Sequence, residues 1–333
     1  MKNIIFMPFI NDVDHGQKWR NDLERDFLAA DGSALTREIK TIREKKGDTK
    51  TYADEKDYYA DLHTKKSERQ KMWINCLIEH TAELFRGYLD RQKSEDAAFT
   101  KKTVVCALPE FFWRDINDND KHTDDINFYH KPLYLETARD ILTEDNALMG
   151  LTEDYPNMIF FAGTVMWKII NPENHKNEEI LNSLIVYAEG KYKETLTKHN
   201  VSFIDGFYDA NQRLVKNKVG KGGNDGNLVT KFNGLDFTYD ICLDFMHRAN
   251  QNDFNERPRP LSAKFCSKKG ISSIDVNVLI AAGMPVNGKY IEENTFSSVF
   301  LRCDGLCKPY GQALIRSCGS DGAAVKLIEI NPQ

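Results

Sequence analysis

Three segments of the sequence place reactive side chains just beyond apolar runs that are typical of buried strands. Glu110 follows one such run, Cys242 follows another, and a third segment contains Lys191, Lys193 and Lys198. A thiol becomes a strong nucleophile only when a neighbouring group lowers its pKa or removes its proton. A carboxylate can act as that base, and an ammonium group can stabilise the oxyanion of a tetrahedral intermediate. Together these residue types favour hydrolysis of an amide by a cysteine.

Each of these residues also has a simpler explanation when it is taken singly. Most buried cysteines are inert small hydrophobes, and most glutamates and lysines are solvated surface groups. The chain has seven cysteines, so Cys242 competes with several other thiols. The functional interpretation depends on the ordered occurrence of the three residue types at strand ends, where α/β scaffolds usually assemble their active sites.

The three segments resemble motifs of the nitrilase superfamily of carbon-nitrogen hydrolases. Leu108-Pro109-Glu110 is similar to the glutamate motif of that family, and Ile241-Cys242-Leu243-Asp244 is similar to its nucleophile motif. The family's spacing from its turn glycine to its lysine, counted here from Gly190, selects Lys198. Weaker matches cover most of the rest of the chain: Ala162-Gly163-Thr164, Asp275, Asp304-Gly305 and Gly311.

This resemblance implies a fold, a mechanism and a kind of partner. The implied fold is α/β, an α-β-β-α sandwich of two mixed sheets flanked by helices. Glu110 would be the general base, Lys198 the stabilising cation and Cys242 the nucleophile. The backbone N–H of Leu243 would be a second donor to the oxyanion. The reaction would be hydrolysis of a small-molecule amide, rather than a nitrile, through a thioester, without a metal or organic cofactor.

Two alternatives to hydrolysis stay open. The same thioester would also allow transfer of the acyl group to an acceptor other than water. A non-catalytic scaffold or effector would instead keep the fold for binding, and the charged segment from residue 11 to residue 70 would suit it. Such a scaffold has no chemical reason to hold all three catalytic residue types together.

The sequence departs from the family pattern in three places. Many members carry a second glutamate soon after the lysine, and Asp205 or Asp209 would have to replace it here. His247 and Arg248 replace an acidic ending beyond the nucleophile and favour an anionic substrate. The range 284–293 leaves room for only a short helix, where the family has a long one. Helices near the nucleophile commonly build the family's dimer interface, so a homodimer or higher homo-oligomer is still expected.

Aromatic residues near the predicted site are candidates for the substrate pocket. Phe111, Phe112 and Trp113 follow the glutamate directly, and Trp167 lies beyond a later apolar run. Packing in an aromatic core explains each of them equally well.

Strands alternate with helical or loop segments along the chain, which favours a layered α/β fold. Apolar spacing predicts one helix through Trp19, Leu23 and Phe27 and a second from Arg69 to Gln92. The range 44–66 is predicted to be a loop. A further helix is predicted to begin at Pro132. The whole chain is interpreted as a single domain, residues 1–333, with a charged surface insertion at about 11–70.

Composition and charge exclude several classes of protein. A formal net charge of -5 and the absence of a purely basic run argue against nucleic acid. The first apolar stretch is too short for a membrane helix or signal peptide. An odd number of scattered cysteines indicates a reducing, cytoplasmic location. Cys303 and Cys307 lack a partner pair for zinc, and the glycines of 220–226 lack the ending of a phosphate-binding loop.

Overall fold

The computed structural model describes residues 3–10, 16–46, 48, 51–52, 54–116, 132–170, 177–198, 229–246, 259–284, 296–305, 312–317 and 323–332. The helices within these ranges are α1 (Gly16–Ala29), α2 (Ser33–Glu44), α3 (Glu55–Glu95), α4 (Leu135–Thr143), α5 (Ala147–Asp154) and α6 (Leu261–Lys268). The strands are β1 (Asn3–Pro8), β2 (Thr103–Ala107), β3 (Leu133–Tyr134), β4 (Met158–Ile170), β5 (Asn177–Ala188), β6 (Lys191–Thr197), β7 (Val229–Phe232), β8 (Leu235–Ile241), β9 (Ile274–Ala281), β10 (Ser297–Asp304), β11 (Ala313–Ser317) and β12 (Ala324–Leu327). Short 3-10 helices span Phe99–Lys101 and Cys242–Met246.

The first sheet carries the strand that leads to Glu110. Its strands are ordered β12-β1-β2-β4-β5-β6, and β3 pairs with the second half of β4. Strands β12, β1, β2 and β4 run parallel, whereas β5 and β6 are antiparallel additions. All five residues of β2 are buried, so this strand reads as a continuous apolar run rather than an alternating one.

The second sheet carries the strand that leads to Cys242. Its order is β11-β10-β9-β8-β7, with the three central strands parallel and the two edge strands antiparallel. Ile280 of β9 is the register partner of both Ile241 and Cys303. The carboxyl ends of β8, β9 and β10 therefore lie side by side at one edge of this sheet.

The two sheets pack face to face through apolar side chains, and helices cover their outer faces. Between the sheets, the ring of Phe161 lies 6.2 Å from that of Phe237 and 5.7 Å from that of Tyr239. On the outer face of the first sheet, Phe85 of α3 packs against Phe160 at 4.9 Å. On the second sheet, the helix α6 packs against β8. This arrangement confirms the predicted α-β-β-α sandwich of two mixed sheets.

The charged segment near the N-terminus is more ordered and more buried than the sequence predicted. The helix through Leu23 and Phe27 is confirmed as α1, and both side chains are buried. The loop predicted for 44–66 is wrong beyond Asp54, because α3 begins there. The Asp54 carboxylate caps α3 by accepting the Asp57 N–H at 2.9 Å. Buried apolar residues of α2 and early α3 pack together despite the many charges around them: Ile39, Ile42, Tyr58 and Leu62.

The helix predicted to begin at Pro132 begins later, at Leu135. Leu133 and Tyr134 first pair with Trp167 and Lys168 as the short strand β3. Backbone pairing to β4 therefore takes priority over helix formation in this turn. Among the helices that the structure describes, none is long and apolar enough to cross a membrane.

Candidate active site

Glu110 is fixed between the ends of strands from both sheets. Just after β2, the Leu108 N–H donates to the Phe161 carbonyl at 2.9 Å. The Glu110 N–H then donates to the carbonyl of Ala281, the last residue of β9, at 3.3 Å. Glu110 is only 4% exposed. The predicted general base thus lies at the junction of the two sheets.

Lys198 and Asn182 contact Glu110 from the side of strands β6 and β5, at one edge of the first sheet. Lys198 follows β6, and its N–H donates to the Asn182 carbonyl at 2.8 Å, so the two residues are neighbours across the ladder. The Lys198 Nζ donates to Glu110 Oε1 at 2.8 Å, and the Asn182 Nδ2 donates to the same oxygen at 2.9 Å. All three side chains are buried. The structure therefore brings the predicted glutamate and lysine into direct contact.

Asn182 is a functional candidate that sequence reasoning missed. It opens the apolar run of β5, where a polar side chain that faces the core needs a hydrogen-bonding partner. The sequence shows a polar residue in this apolar run, but only the folded structure identifies Glu110 as its partner.

The two donors to Glu110 Oε1 determine where a proton can be accepted. An oxygen that accepts one hydrogen bond from an ammonium and one from an amide uses both in-plane lone pairs. A proton taken from a nucleophile would accordingly have to reach Oε2. The ammonium of Lys198 adds a positive charge beside this carboxylate, where the buried surroundings strengthen electrostatic interactions.

Cys242 lies beside the same strand end as Glu110. Cys242 directly follows Ile241, which pairs with Ile280 of β9, and the carbonyl of the next residue of β9, Ala281, accepts the Glu110 N–H. Cys242 has a φ of 46, an unfavourable left-handed conformation for a residue with a side chain. Such strain is typical of functional positions held by their surroundings. The 3-10 helix that Cys242 begins also contains Leu243, the predicted oxyanion donor.

The backbone after Glu110 needs support from β4. Phe111 has a φ of 60, and its N–H donates to Thr164 Oγ1 at 2.8 Å. The neighbouring Gly163 has a φ of 68, and a Cβ there would lie 2.6 Å from the Pro109 carbonyl. Glycine at this bulge therefore lets β4 approach the turn that carries Glu110. The Phe111 ring lies 5.8 Å from the Lys198 Nζ, so this pocket candidate borders the site.

The remaining pocket candidates lie elsewhere or outside the described residues. Phe112, Trp113 and Trp167 are buried in the core between the first sheet and its helices. The Trp113 Nε1 donates to the Ala162 carbonyl at 2.6 Å. The pocket candidates His247 and Arg248 fall outside the described residues. So do Asp205 and Asp209, which were predicted to replace the second glutamate of the family.

Other described thiols are poorly placed to form thiolates. Burial raises the pKa of Cys106 and Cys303 well above the usual range. Burial and the nearby Asp240 carboxylate raise the pKa of Cys266 to about 11. The pKa of the partly buried Cys76 is also raised, by burial and by Asp31. Within the described residues, no group of His, Cys, Asp and Glu is arranged to hold a metal ion.

The sequence matches no family profile and no curated protein. Among solved structures, a CN-hydrolase superfamily protein from Xanthomonas campestris matches at 10% identity, covering 72% of this chain and 77% of that one, with a TM-score of 0.37. An amidase variant from Nesterenkonia sp. AN1 matches at 12% identity, covering 72% and 79%, with a TM-score of 0.37. A glutamine-dependent NAD+ synthetase from Acinetobacter baumannii matches at 14% identity over 69% of this chain but 35% of its own, with a TM-score of 0.35.

Proposed function

We propose that this protein is a cysteine-dependent hydrolase of a non-peptide carbon-nitrogen bond, an amidase of the nitrilase superfamily. Its catalytic triad would be Glu110, Lys198 and Cys242, and its substrate a small-molecule amide. The observation that carries the proposal is the buried contact of 2.8 Å between Lys198 Nζ and Glu110 Oε1. Glu110 also bonds to the end of β9, the strand that pairs with β8, and β8 leads to Cys242. Well-packed apolar residues are often as stabilising as a buried ion pair, so this pair suits a chemical role better than a structural one.

The first half of the reaction forms a thioester. Glu110 takes the thiol proton of Cys242 on Oε2, and the sulfur attacks the amide carbon. The oxyanion that develops is stabilised by the Lys198 ammonium and the Leu243 N–H. The tetrahedral intermediate collapses when Glu110 returns the proton to the nitrogen and the amine leaves.

The second half releases the acid. A water molecule gives a proton to Glu110 while its oxygen attacks the thioester carbon. Collapse of the second tetrahedral intermediate breaks the carbon-sulfur bond, and the proton on Glu110 returns to the thiolate. The thiol and carboxylate are thereby regenerated, and the overall reaction consumes one amide and one water.

Thiol reactivity tests the proposal without knowledge of the substrate. The full chain is treated with iodoacetamide at neutral pH, and the rate at each cysteine is followed by mass spectrometry of peptides. We expect Cys242 to react much faster than Cys266 or Cys303, whose pKa values are raised. Glu110→Gln should slow Cys242 by about a hundredfold, the lower end of the usual contribution of a general base. Alkylation of Cys242 at the rate of Cys266 would reject the triad.

A matched pair of lysine variants makes this test specific. Lys198→Ala removes the ammonium beside Glu110 and should slow the reaction of Cys242. Lys193→Ala removes a lysine from the same segment whose Nζ contacts Glu189 at 2.5 Å, and it should leave the rate unchanged. Equal effects of the two variants would contradict the assigned role of Lys198. A screen of small amides on the wild-type protein then identifies the acyl group.

A further inference from the structure

The segment Phe111–Ile116, called the base loop here, directly follows Glu110 and is held by a charged side chain from the N-terminal part of the chain. Arg20 of α1 donates from Nη1 to the Phe112 carbonyl at 2.7 Å. It also donates from Nη2 to the Arg114 carbonyl at 3.1 Å. One guanidinium thus donates to two carbonyls of this irregular backbone, where buried carbonyls need hydrogen-bond partners.

Helix α3 holds the far end of the base loop. Trp73 Nε1 donates to the Arg114 carbonyl at 3.0 Å, the same oxygen that Arg20 contacts. Gln70 Nε2 donates to Asp115 Oδ2 at 2.9 Å. One helix inside the predicted surface insertion, α1, and the long helix α3 that begins in it therefore both supply donors to the turn behind the predicted base.

Arg20 is itself restrained on several sides. Its Nε lies 3.2 Å from Glu24 Oε1, one helical turn away. Its guanidinium carbon lies 5.5 Å from the Trp73 ring centre and 5.9 Å from that of Phe112. Burial and the neighbouring Arg114 lower the pKa of Arg20 to about 9, so Arg20 is still a cation at neutral pH. A buried cation in contact with two carbonyls and a carboxylate has little freedom to move.

The opposite side of the base loop is held by β4. The Phe111 N–H donates to Thr164 Oγ1 at 2.8 Å, and the Trp113 N–H donates to the Thr164 carbonyl at 3.2 Å. The positive φ of Phe111 costs energy that only such surrounding contacts can offset. The loop is consequently held between the N-terminal helices on one side and β4 on the other.

We propose that Arg20 is a positioning residue for Glu110, and that the charged N-terminal helices serve the reaction by fixing the base loop. This inference rests on the proposed function. Glu110 shares a backbone with the loop, so a shift of the Phe112 and Arg114 carbonyls would move its carboxylate relative to Cys242. Displacement of a catalytic group by about 1 Å can slow a reaction by about a hundredfold.

The test measures Cys242 alkylation by iodoacetamide in variants of the full chain between about pH 6 and pH 9. Arg20→Gln should slow the reaction by about tenfold to a hundredfold and shift its pH dependence. If a variant only contained a smaller fraction of active protein, the total labelling of Cys242 would fall, but the pH dependence of its rate would not shift. Arg20→Lys keeps the charge but reaches fewer carbonyls, so it should recover part of the rate. Arg25→Gln is the matched control, because Arg25 lies on the same helix and is exposed, 2.7 Å from Asp22.

A double variant separates positioning from stability. Loss of Arg20 leaves the Glu24 carboxylate buried without this cation, which destabilises the fold regardless of Glu110. Arg20→Gln combined with Glu24→Gln removes that charge, so urea denaturation should show a recovery of stability while alkylation stays slow. Recovery of the alkylation rate together with stability would overturn the inference.

Further variants cover the case in which Arg20→Gln does not fold, and they separate the positioning role from the proposed function. If Arg20→Gln does not fold, the double variant and Trp73→Phe replace it, since the phenylalanine removes the donor to Arg114 but keeps a ring. Trp73→Phe should slow Cys242 in the same direction by a smaller factor. The wild-type protein could be alkylated selectively at Cys242 while all these variants react as fast as Arg25→Gln. That result would overturn the positioning role of Arg20 but not the proposed function. A wild-type Cys242 without selective reactivity would overturn the proposed function and this inference with it.

Discussion

A single carboxylate oxygen, Oε1 of Glu110, joins the residues of the candidate site. It accepts hydrogen bonds from Lys198 at 2.8 Å and from Asn182 at 2.9 Å. Removal of either donor changes the charge or the hydrogen bonding at a buried oxygen, where such changes are costly. Substitutions at these positions should therefore change reactivity more than substitutions at nearby polar residues.

We expect Asn182→Asp to slow the alkylation of Cys242 by about tenfold or more at neutral pH. The variant replaces a donor 2.9 Å from Glu110 Oε1 by a second carboxylate. Two carboxylates at such a distance do not both stay ionised, so one of them takes up a proton and the base is weakened. Ser183→Ala is the control, because Ser183 faces the other side of β5 and contacts Thr197 Oγ1 at 3.1 Å. An unchanged alkylation rate in Asn182→Asp would show that Asn182 does not influence the reactivity of Cys242.

The pH dependence of alkylation should distinguish the thiols. Only the thiolate reacts, and below its pKa the thiolate fraction rises about tenfold for each pH unit. The pKa of Cys266 is raised to about 11, so its labelling should be very slow at pH 7 and increase steadily up to pH 9. Cys242 should already react at pH 7, and selectivity should therefore fall as pH rises. Peptide-resolved mass spectrometry at each pH measures both rates, and parallel profiles for the two cysteines would contradict this expectation.

At the scale of secondary structure elements, the site is assembled from strand ends rather than from strand faces. Cys242 directly follows β8, and Lys198 directly follows β6. Glu110 lies in the turn after β2. A bulge in β4 at Gly163 lets that strand pass close to the turn after β2. The geometry of the turn that carries Glu110 therefore depends on a backbone position without a side chain.

We expect Gly163→Ala to destabilise the protein by about 1–3 kcal/mol and to slow Cys242 alkylation. Alanine is strained at a φ of 68, and its Cβ would lie 2.6 Å from the Pro109 carbonyl. Gly87→Ala is the matched control, since a Cβ at this position in α3 would meet nothing within 4 Å. That variant should stabilise the protein by about 0.5–1 kcal/mol and leave the alkylation rate unchanged. Urea denaturation gives both free energies, and equal effects at the two glycines would contradict the argument.

At the scale of the whole molecule, the two ends of the chain meet on the first sheet. Strand β12 pairs in parallel with β1, and the N–H of Ile330 donates to the Pro8 carbonyl at 2.8 Å. Ile330 is fully buried in the core beneath the helices. The last residues thus cover one edge of the sheet that carries Glu110, which would otherwise present unpaired backbone groups.

Ile330→Ala should therefore lower the free energy of unfolding by about 2–5 kcal/mol, the usual cost of a large-to-small change in a core. Leu327→Ala, three residues earlier, should cost much less because Leu327 is 39% exposed. Urea denaturation of the two variants beside the wild type measures the difference. Similar losses in both would show that the C-terminal residues do not contribute to the core in the expected way.

Local patterns predicted much of the fold. Continuous apolar runs identified the buried strands, and apolar spacing identified α1 and most of α3. The loop predicted for 44–66 failed because a high density of charges concealed the few apolar residues that pack α2 against α3. The start of α4 was misplaced because Leu133 and Tyr134 pair with a strand distant in sequence.

The sequence by itself indicated which chemistry to expect, because Glu110 and Cys242 each follow an apolar run that is readable locally, and the resemblance to a family motif selects Lys198. Only the tertiary structure decided what surrounds them. The hydrogen bond from Arg20 to Phe112 joins residues 92 positions apart, and that from Asn182 to Glu110 spans 72. Contacts of this kind arise when packed elements bring distant residues together, and no local spacing in the sequence encodes them.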